Sequence, residues 1–327
     1  MKKLILFLLL IIYTVPAVSQ VQPFGTALEG FDYPYEVKYT RFNVEGKDVR
    51  MAYMDVKPEK ENNGKTVILL HGKNFFGEYW RETIKFLVAN GFRVIVPDQL
   101  GFGKSSKPEI YYTFQMMAYN TKTLLDSLGI KKAAVVGHSM GGMLAVRFAL
   151  MYPDITTKLV LENPIGLEDY KTKVPYSTLK EYYKKEMSQT EDAIRNYHKK
   201  YYLRWKDEYD KYVKVQAGYM LSAQFPQLAW VNALTSQMIY TQPVVYEFPQ
   251  IKVPALVIIG QHDRTAIGKD KVSEEIAKTM GNYPELGRKT AAAIPGAQLV
   301  EIEDAGHIPH FETPEIFYNA LLKFLNE

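Results

Sequence analysis

The sequence predicts an α/β protein with a mostly parallel central sheet, helices on both faces of that sheet and an inserted helical cap. Short, almost wholly apolar runs such as 66–70 and 255–259 are typical of strands that are buried on both faces. Helical segments alternate with these runs, which is the pattern of a parallel sheet. The alternation stops from about 164 to 246 and then resumes, so this segment is predicted to be an insertion into the sheet domain.

Length and composition limit the possible functions. The chain has 327 residues, a formal net charge of +4 and no cysteine. This length suffices for one large domain with an insertion. The absence of cysteine excludes disulfides, thiol catalysis and thiolate metal sites. The small net charge argues against nucleic acid as a partner. The sequence has no metal-ligand cluster and no phosphate or dinucleotide motif, so we expect neither a metal nor a cofactor.

The N-terminus has the features of a targeting signal. Lys2 and Lys3 precede an apolar stretch at 4–13, and a small-x-small site follows at 17–19. These features predict a signal peptide over 1–19, with Gln20 as the first residue after cleavage. An uncleaved membrane anchor is the alternative, but the apolar stretch is short for a span. We therefore expect an exported protein, periplasmic or secreted, with no stable membrane anchor after cleavage.

The first half of the chain should form a hairpin and then alternating strands and helices. Residues 37–44 and 49–56 roughly alternate in polarity, and Glu45-Gly46 between them predicts a turn. Apolar runs predict buried strands at 66–70, 92–96, 133–136 and 158–161. Apolar residues at helical spacing predict helices at 78–90, at 113–128 and from the end of the 133–136 strand to 152.

Charged and aromatic helical segments, rich in tyrosine, fill the insertion, and no buried strand run is visible there. After it, an apolar run predicts a buried strand at 255–259, and a second strand is predicted at 298–302. Helical patterns cover 269–280 and 314–325. The predicted domains are therefore a signal peptide at 1–19, a core made of 20–163 and 247–327, and a helical cap at 164–246.

The segment Gly137-His138-Ser139-Met140-Gly141 lies between the strand at 133–136 and the helix that follows it. The two glycines have no Cβ, so the strand and the helix can approach each other closely. Ser139 is then at the apex of a sharp turn, where its hydroxyl is exposed as a nucleophile. The N–H of Met140 lies at the helix N-terminus, where unpaired donors favour a developing negative oxygen.

Polar residues follow four predicted strands, namely Lys73 with Asn74, Ser139, Asp263 and His307. Ligands of open parallel sheets bind beyond the carboxyl ends of the strands. The order serine, acid, histidine is that of α/β-hydrolases. Five motifs carry a wider resemblance: His71-Gly72, Asp98-x-x-Gly101-x-Gly103-x-Ser105, Gly137-His138-Ser139-Met140-Gly141-Gly142, Gly260-x-x-Asp263 and Gly306-His307. Over roughly 30–165 and 246–327, the chain resembles the capped α/β-hydrolase superfamily.

The resemblance implies a role for each of these residues. Ser139 would be the nucleophile, His307 its general base and Asp263 the acid that orients the histidine. The backbone N–H groups of Met140 and Lys73 would form the oxyanion hole, since Lys73 follows His-Gly in the usual pattern of this superfamily.

Other residues are candidates for neighbouring roles. We expect Asn74 and His138 to contact substrate. Glu162 ends the strand before the insertion, where some hydrolases of this fold place the acid, and it is the main alternative to Asp263. His310 is the alternative to His307 as the base. His198 and His262 are expected at the surface or behind the substrate-contacting residues.

A serine at position 139 excludes two related activities. Haloalkane dehalogenases and epoxide hydrolases of this superfamily have an aspartate there. The remaining options are carboxylesterases, lactonases, C–C bond hydrolases of ring-cleavage products and cofactor-free perhydrolases. Export favours an external ester or lactone, so we predict an exported serine hydrolase that forms an acyl-enzyme on Ser139. A binding protein on a hydrolase fold is the non-enzymatic alternative, and a complete serine, acid and histidine set argues against it.

Overall fold

The computed structural model describes residues 21–58 and 61–327, and within them an eight-stranded sheet lies between two layers of helices. The strands are β1 (Val37–Val44), β2 (Lys47–Val56), β3 (Thr66–Leu70), β4 (Arg93–Pro97), β5 (Ala133–His138), β6 (Thr156–Glu162), β7 (Ala255–Gly260) and β8 (Gln298–Ile302). Their order is β1-β2-β4-β3-β5-β6-β7-β8. Only the β1–β2 and β2–β4 pairs of this described sheet are antiparallel. The predicted fold class is confirmed.

Helices follow most of the strands. In the described ranges they are α1 (Arg81–Ala89), α2 (Phe114–Ser127), α3 (Met140–Met151), α4 (Leu179–Met187), α5 (Glu191–Lys199), α6 (Asp210–Met220), α7 (Phe225–Thr241), α8 (Glu274–Lys278), α9 (Tyr283–Ala293), α10 (Pro309–Glu312) and α11 (Pro314–Asn326). Short 3₁₀ turns occur at Gly77–Trp80, Tyr170–Thr172, Asp207–Tyr209, Val245–Gln250 and Lys269–Lys271.

The region after β7 differs most from the sequence-based expectation. The predicted single helix at 269–280 is wrong, because this stretch forms a 3₁₀ turn followed by the short α8. Helix α9 was not predicted, since Pro284 and Gly287 are poor helix formers. A Cβ on Gly287 would lie 2.6 Å from Ile259 Cγ1. The glycine therefore lets α9 pack directly on β7, and tertiary packing outweighs the weak helix propensity.

Strand β3 shows how the sheet separates two apolar layers. Val67 and Leu69 point into the layer that contains α1 and α11, whereas Ile68 and Leu70 point into the layer that contains α2 and α3. All four side chains are fully buried. Burial of one such side chain typically contributes about 1.5–3 kcal/mol. The sheet is thus packed on both faces, and its strand ends are fixed supports for the loops that follow them.

Helices α4 to α7 lie between β6 and β7 in the chain, inside the predicted cap segment. Thr178 and Glu181 form a capping box at the start of α4. Arg195 of α5 donates to Asp210 of α6 at 2.8 Å. In the part of the chain that the structure describes, no helix is long and apolar enough to cross a membrane. The predicted signal peptide at 1–19 lies outside the described residues.

Candidate active site

The turn between β5 and α3 holds Ser139 in an unusual backbone conformation. Its φ is 56° and its ψ is −122°, a region that costs energy for a residue with a Cβ. A Cβ on Gly137 would lie 2.2 Å from Gly141 O, and a Cβ on Gly141 would lie 2.1 Å from Leu70 O. Both glycines are therefore required for the strand, the turn and the helix to fit together. The turn places Ser139 at the carboxyl edge of the sheet.

The structure brings Ser139, His307 and Asp263 into one hydrogen-bonded series, which we call the triad. Ser139 Oγ lies 2.9 Å from His307 Nε2, and His307 Nδ1 lies 2.6 Å from Asp263 Oδ2. A carboxylate only accepts, so Nδ1 of the neutral ring carries the proton and Nε2 can accept the serine proton. All three side chains are at least 93% buried, because Ser139 is 7% exposed and the other two are 1% exposed.

Asp263 receives three hydrogen bonds. Besides His307, Asn163 Nδ2 donates to Oδ2 at 2.9 Å and the Thr265 N–H donates to Oδ1 at 2.7 Å. Burial favours the protonated carboxyl, but the attraction to the protonated form of His307 and the hydrogen bonds outweigh burial and lower the pKa of Asp263. The carboxylate is thus held ionised and aimed at the imidazole.

Asn163 is a site residue that the sequence analysis missed. Its φ is 36°, and its Oδ1 accepts the N–H of Gly260 at 2.9 Å. With its Nδ2 on Asp263, the side chain fixes both the end of β7 and the acid that follows it. The sequence gives only weak evidence for this role. Asn163 follows a buried strand directly, and asparagine is a residue type that tolerates positive φ.

Two backbone N–H groups near Ser139 are available as oxyanion donors. A Cβ on Gly72 would lie 3.1 Å from Ser139 Cβ, so the loop that carries Lys73 passes directly beside the nucleophile. Met140 is the first residue of α3. Within residues 21–58 and 61–327, neither the Lys73 N–H nor the Met140 N–H takes part in a backbone hydrogen bond. Their role in an oxyanion hole stays a prediction.

The expected substrate contact of His138 is wrong. Its side chain is fully buried, with Nε2 2.8 Å from His307 O and Nδ1 3.1 Å from Tyr79 Oη. The carbonyl requires Nε2 to donate, so Nδ1 accepts from Tyr79, whose oxygen accepts the Gly72 N–H at 3.1 Å. Burial holds the pKa of His138 well below its ordinary value. His138 therefore connects the loop before Lys73 with the backbone of His307.

The cap contributes a second residue that the sequence analysis missed, Tyr201. Its carbonyl accepts the N–H of His307 at 2.6 Å, and its ring stacks on the His307 ring with centroids 4.9 Å apart. Its hydroxyl accepts a hydrogen bond from Asn74 Nδ2 at 2.7 Å. Asn74 also lines the cavity described below, and its substrate contact stays a prediction. Among so many cap tyrosines, nothing in the sequence distinguished Tyr201.

Glu162 and His310, the two alternatives, pair with each other instead of with the triad. Glu162 Oε1 accepts from the His310 N–H at 2.9 Å and lies 2.8 Å from His310 Nδ1. Both side chains are buried. His310 stacks on Trp80 with ring centroids 4.4 Å apart. The pair ties α10 to the end of β6 and so supports the loop that carries His307.

Glu162→Gln is expected to lower turnover about tenfold or less. The amide oxygen can still accept from the His310 backbone, but the charged interaction with the ring is lost, which costs about 1.5–3 kcal/mol of stability. Steady-state kinetics and thermal unfolding measure the two effects. An inactive variant with an unchanged unfolding temperature would contradict this assignment.

The remaining histidines divide between buried and exposed positions. His198 is fully buried, and Gln216 Nε2 lies 2.7 Å from its Nε2, so a surface position for it is excluded. His262 is exposed, as expected. His71 Nε2 accepts the Gln99 N–H at 3.0 Å, and the ring thereby holds two strand-end loops together.

A cavity of about 610 Å³ lies between the cap and the core. Lys73, Asn74, Tyr201 and Thr265 line it at the triad end, and residues of α4 to α7 form much of the rest. Ser139 and His307 are not themselves part of the lining, so their neighbours form the boundary between cavity and triad. Within the described residues, no group of three or more potential metal-ligating side chains occurs.

Comparison with known proteins gives the family. The sequence pattern of the family described as alpha/beta hydrolase fold matches residues 65–314. A probable hydrolytic enzyme of Pseudomonas aeruginosa PAO1 is 47% identical, with a TM-score of 0.92 over 94% of this chain and 99% of that one. A 2-hydroxy-6-oxononadienedioate/2-hydroxy-6-oxononatrienedioate hydrolase of Comamonas testosteroni is 30% identical over 80% of this chain and 88% of that protein.

A third similarity concerns the fold alone. The enol-lactonase of Burkholderia xenovorans LB400 is 23% identical, with a TM-score of 0.68 over 88% of this chain and 100% of that one. The sheet order, the inserted helices and the matched family pattern agree. This chain is a hydrolase and belongs to the α/β-hydrolase fold family.

Proposed function

We propose that this hydrolase cleaves a carboxylic ester or lactone through an acyl-enzyme on Ser139. The observation that carries the proposal is the triad itself, with its hydrogen bonds of 2.9 and 2.6 Å. A serine hydroxyl is a weak nucleophile at neutral pH and needs a base within hydrogen-bond reach. His307 Nε2 is that base, and Asp263 holds its ring in the required tautomer.

The reaction proceeds in two halves. Ser139 Oγ attacks the carbonyl carbon while His307 Nε2 takes its proton, and the N–H groups of Lys73 and Met140 stabilise the oxyanion. The C–O bond then breaks, and the leaving alcohol takes the proton from His307. In the second half, His307 takes a proton from water, which attacks the acyl carbon. Ser139 recovers that proton as the carboxylic acid leaves.

Cleavage of a C–C bond on the same triad is the second candidate. It is supported by the similarity to the 2-hydroxy-6-oxononadienedioate/2-hydroxy-6-oxononatrienedioate hydrolase of Comamonas testosteroni. Predicted export favours the ester or lactone, since ring-cleavage products arise inside the cell. A perhydrolase would use the same residues. A non-enzymatic binding protein would not need the complete, hydrogen-bonded triad.

A fluorophosphonate probe and a substrate panel test the proposal. We expect stoichiometric labelling of Ser139 and faster turnover of p-nitrophenyl esters and lactones than of 2-hydroxy-6-oxo dienoates. Labelling together with turnover of the dienoates alone would favour C–C cleavage. No labelling and no turnover of either class would refute the proposal.

We also propose export with cleavage after Ser19, on the basis of the basic start, the apolar stretch and the small-x-small site. Mass spectrometry of protein from the periplasm or the medium should find Gln20, free or cyclised, at the N-terminus. Replacement of Ala17 by a bulky residue such as Phe should slow the cleavage. Recovery of the protein only from the cytoplasm, with Met1 intact, would refute the proposal.

A further inference from the structure

The cavity beneath the cap carries an excess of positive charge. Among the described residues that line it, six are basic and two are acidic: Lys73, Lys185, Lys200, Arg264, Lys269 and Lys271 against Glu186 and Asp270. A cleft whose lining has a net positive charge concentrates ligands of the opposite sign. The charge of the lining therefore favours an anionic ligand.

Most of these cations already have partners. Lys185 Nζ lies 2.6 Å from Asp270 Oδ2, Lys271 Nζ donates to Ser177 Oγ at 2.7 Å, and Lys269 Nζ donates to Arg264 O at 2.7 Å. Lys200 has no such contact in the described chain but is exposed, so water solvates it at little cost. These residues contribute to the positive electrostatic potential of the cavity, but they do not define a specific binding position for an anion.

Lys73 differs from the others. Its ammonium forms no ion pair and no hydrogen bond with the residues at 21–58 or 61–327, although the residue is largely enclosed. Burial lowers its pKa, while Glu186 and Lys185 of α4 act on it in opposite directions. Lys73 is half-buried and its ammonium has no hydrogen-bonded counterion among the described residues, so a ligand carboxylate placed on it would form a charge-assisted hydrogen bond.

The position of Lys73 links this charge to the proposed reaction. The backbone N–H of the same residue is a candidate oxyanion donor, and its side chain lines the cavity. Asn74, the next residue, lines the cavity as well. If the carbonyl oxygen of an acyl group accepts from the Lys73 N–H, a second polar group of that acyl chain can reach the Lys73 ammonium. The distance between the two groups is then about the length of a lysine side chain.

We propose that the substrate is an ester or lactone whose acyl part bears a free carboxylate, and that the Lys73 ammonium binds this carboxylate. The inference rests on the proposed ester or lactone hydrolysis and adds the substrate class. Lys73 then determines specificity through its side chain, in addition to the predicted role of its backbone.

Matched esters provide the test. Mono-p-nitrophenyl glutarate and adipate carry the free carboxylate, and their methyl-capped counterparts do not. We expect kcat/KM of the native enzyme to be at least tenfold higher for the acids than for the capped esters. In Lys73→Met this ratio should fall on the order of 10- to 100-fold, the range of a charge-assisted hydrogen bond. If the substitution also disturbs the oxyanion hole, it lowers kcat/KM for both esters equally, so the ratio between the acid and the capped ester is unaffected.

Lys184→Met is the matched control, because Lys184 is an exposed lysine of α4 in the cap that does not line the cavity. Its ratio should equal that of the native enzyme. Calorimetric titration with adipate is a readout independent of turnover, and binding should be lost in Lys73→Met but kept in Lys184→Met.

Two failures can be told apart. A ratio near one, or a ratio that Lys73→Met leaves unchanged, overturns this inference while ester hydrolysis stands. If neither ester is cleaved and no phosphonate labels Ser139, the proposed function itself fails. Absence of adipate binding in that case also overturns the carboxylate site.

Discussion

Replacement of Ser139 by alanine is expected to lower ester turnover on the order of 10⁶-fold, the loss seen when a triad nucleophile is removed. The variant keeps the oxyanion donors and the cavity, so substrate binding should change little. Its stability should also change little, because alanine retains the Cβ that makes φ = 56° costly. Turnover of p-nitrophenyl esters and labelling by a fluorophosphonate measure the loss.

Two further variants sharpen this prediction. Ser139→Gly should be equally inactive but more stable, since glycine relieves the strain at positive φ, by about 1 kcal/mol. Ser127→Ala changes an exposed serine at the end of α2 and should keep full labelling. Labelling of Ser139→Ala to the same extent as the native enzyme would show that another residue is the nucleophile.

Replacement of Asp263 by asparagine is expected to lower turnover roughly 10⁴-fold, the loss that the same change causes in other triads. Both carboxylate oxygens receive donors, from His307 and Asn163 at Oδ2 and from Thr265 at Oδ1. Whichever way an amide is turned, its NH₂ group therefore faces a donor. It also carries no charge to stabilise the imidazolium that forms when His307 takes the serine proton.

Glu162→Gln is the matched comparison, because it also converts a buried, histidine-paired carboxylate into an amide. Steady-state kinetics of the two variants, at equal folded fraction, separate their roles. If Glu162→Gln is inactive and Asp263→Asn retains most activity, the acid has been assigned wrongly, while Ser139 and His307 could keep their roles.

The sequence was sufficient to place the sheet and the residues at its carboxyl edge. The buried strands are continuous apolar runs, and β3 and β8 lie where they were predicted. Ser139, Asp263 and His307 each follow a predicted strand within a few residues. The topology of a parallel sheet then brings them to one edge without further information.

Residues whose role depends on tertiary contacts could not be predicted. The direction in which His138 points is set by Tyr79 and the His307 carbonyl, both distant in the chain. Tyr201 reaches the triad only through the packing of the cap on the core. The helical pattern of the cap predicts its helices, but their orientation decides which of their side chains face the cavity that Lys73 of the core also lines.

The hydrogen bond from the His307 N–H to the Tyr201 carbonyl has a consequence for engineering. The cap segment around Tyr201 helps to hold the catalytic histidine in place. This segment therefore cannot move away from the core without breaking its hydrogen bond to His307. Domain shuffling between relatives should therefore fail when the crossover separates residue 201 from the loop that carries His307. Substitutions that widen access to the cavity are therefore better placed on α4 and α7, whose side chains also line it.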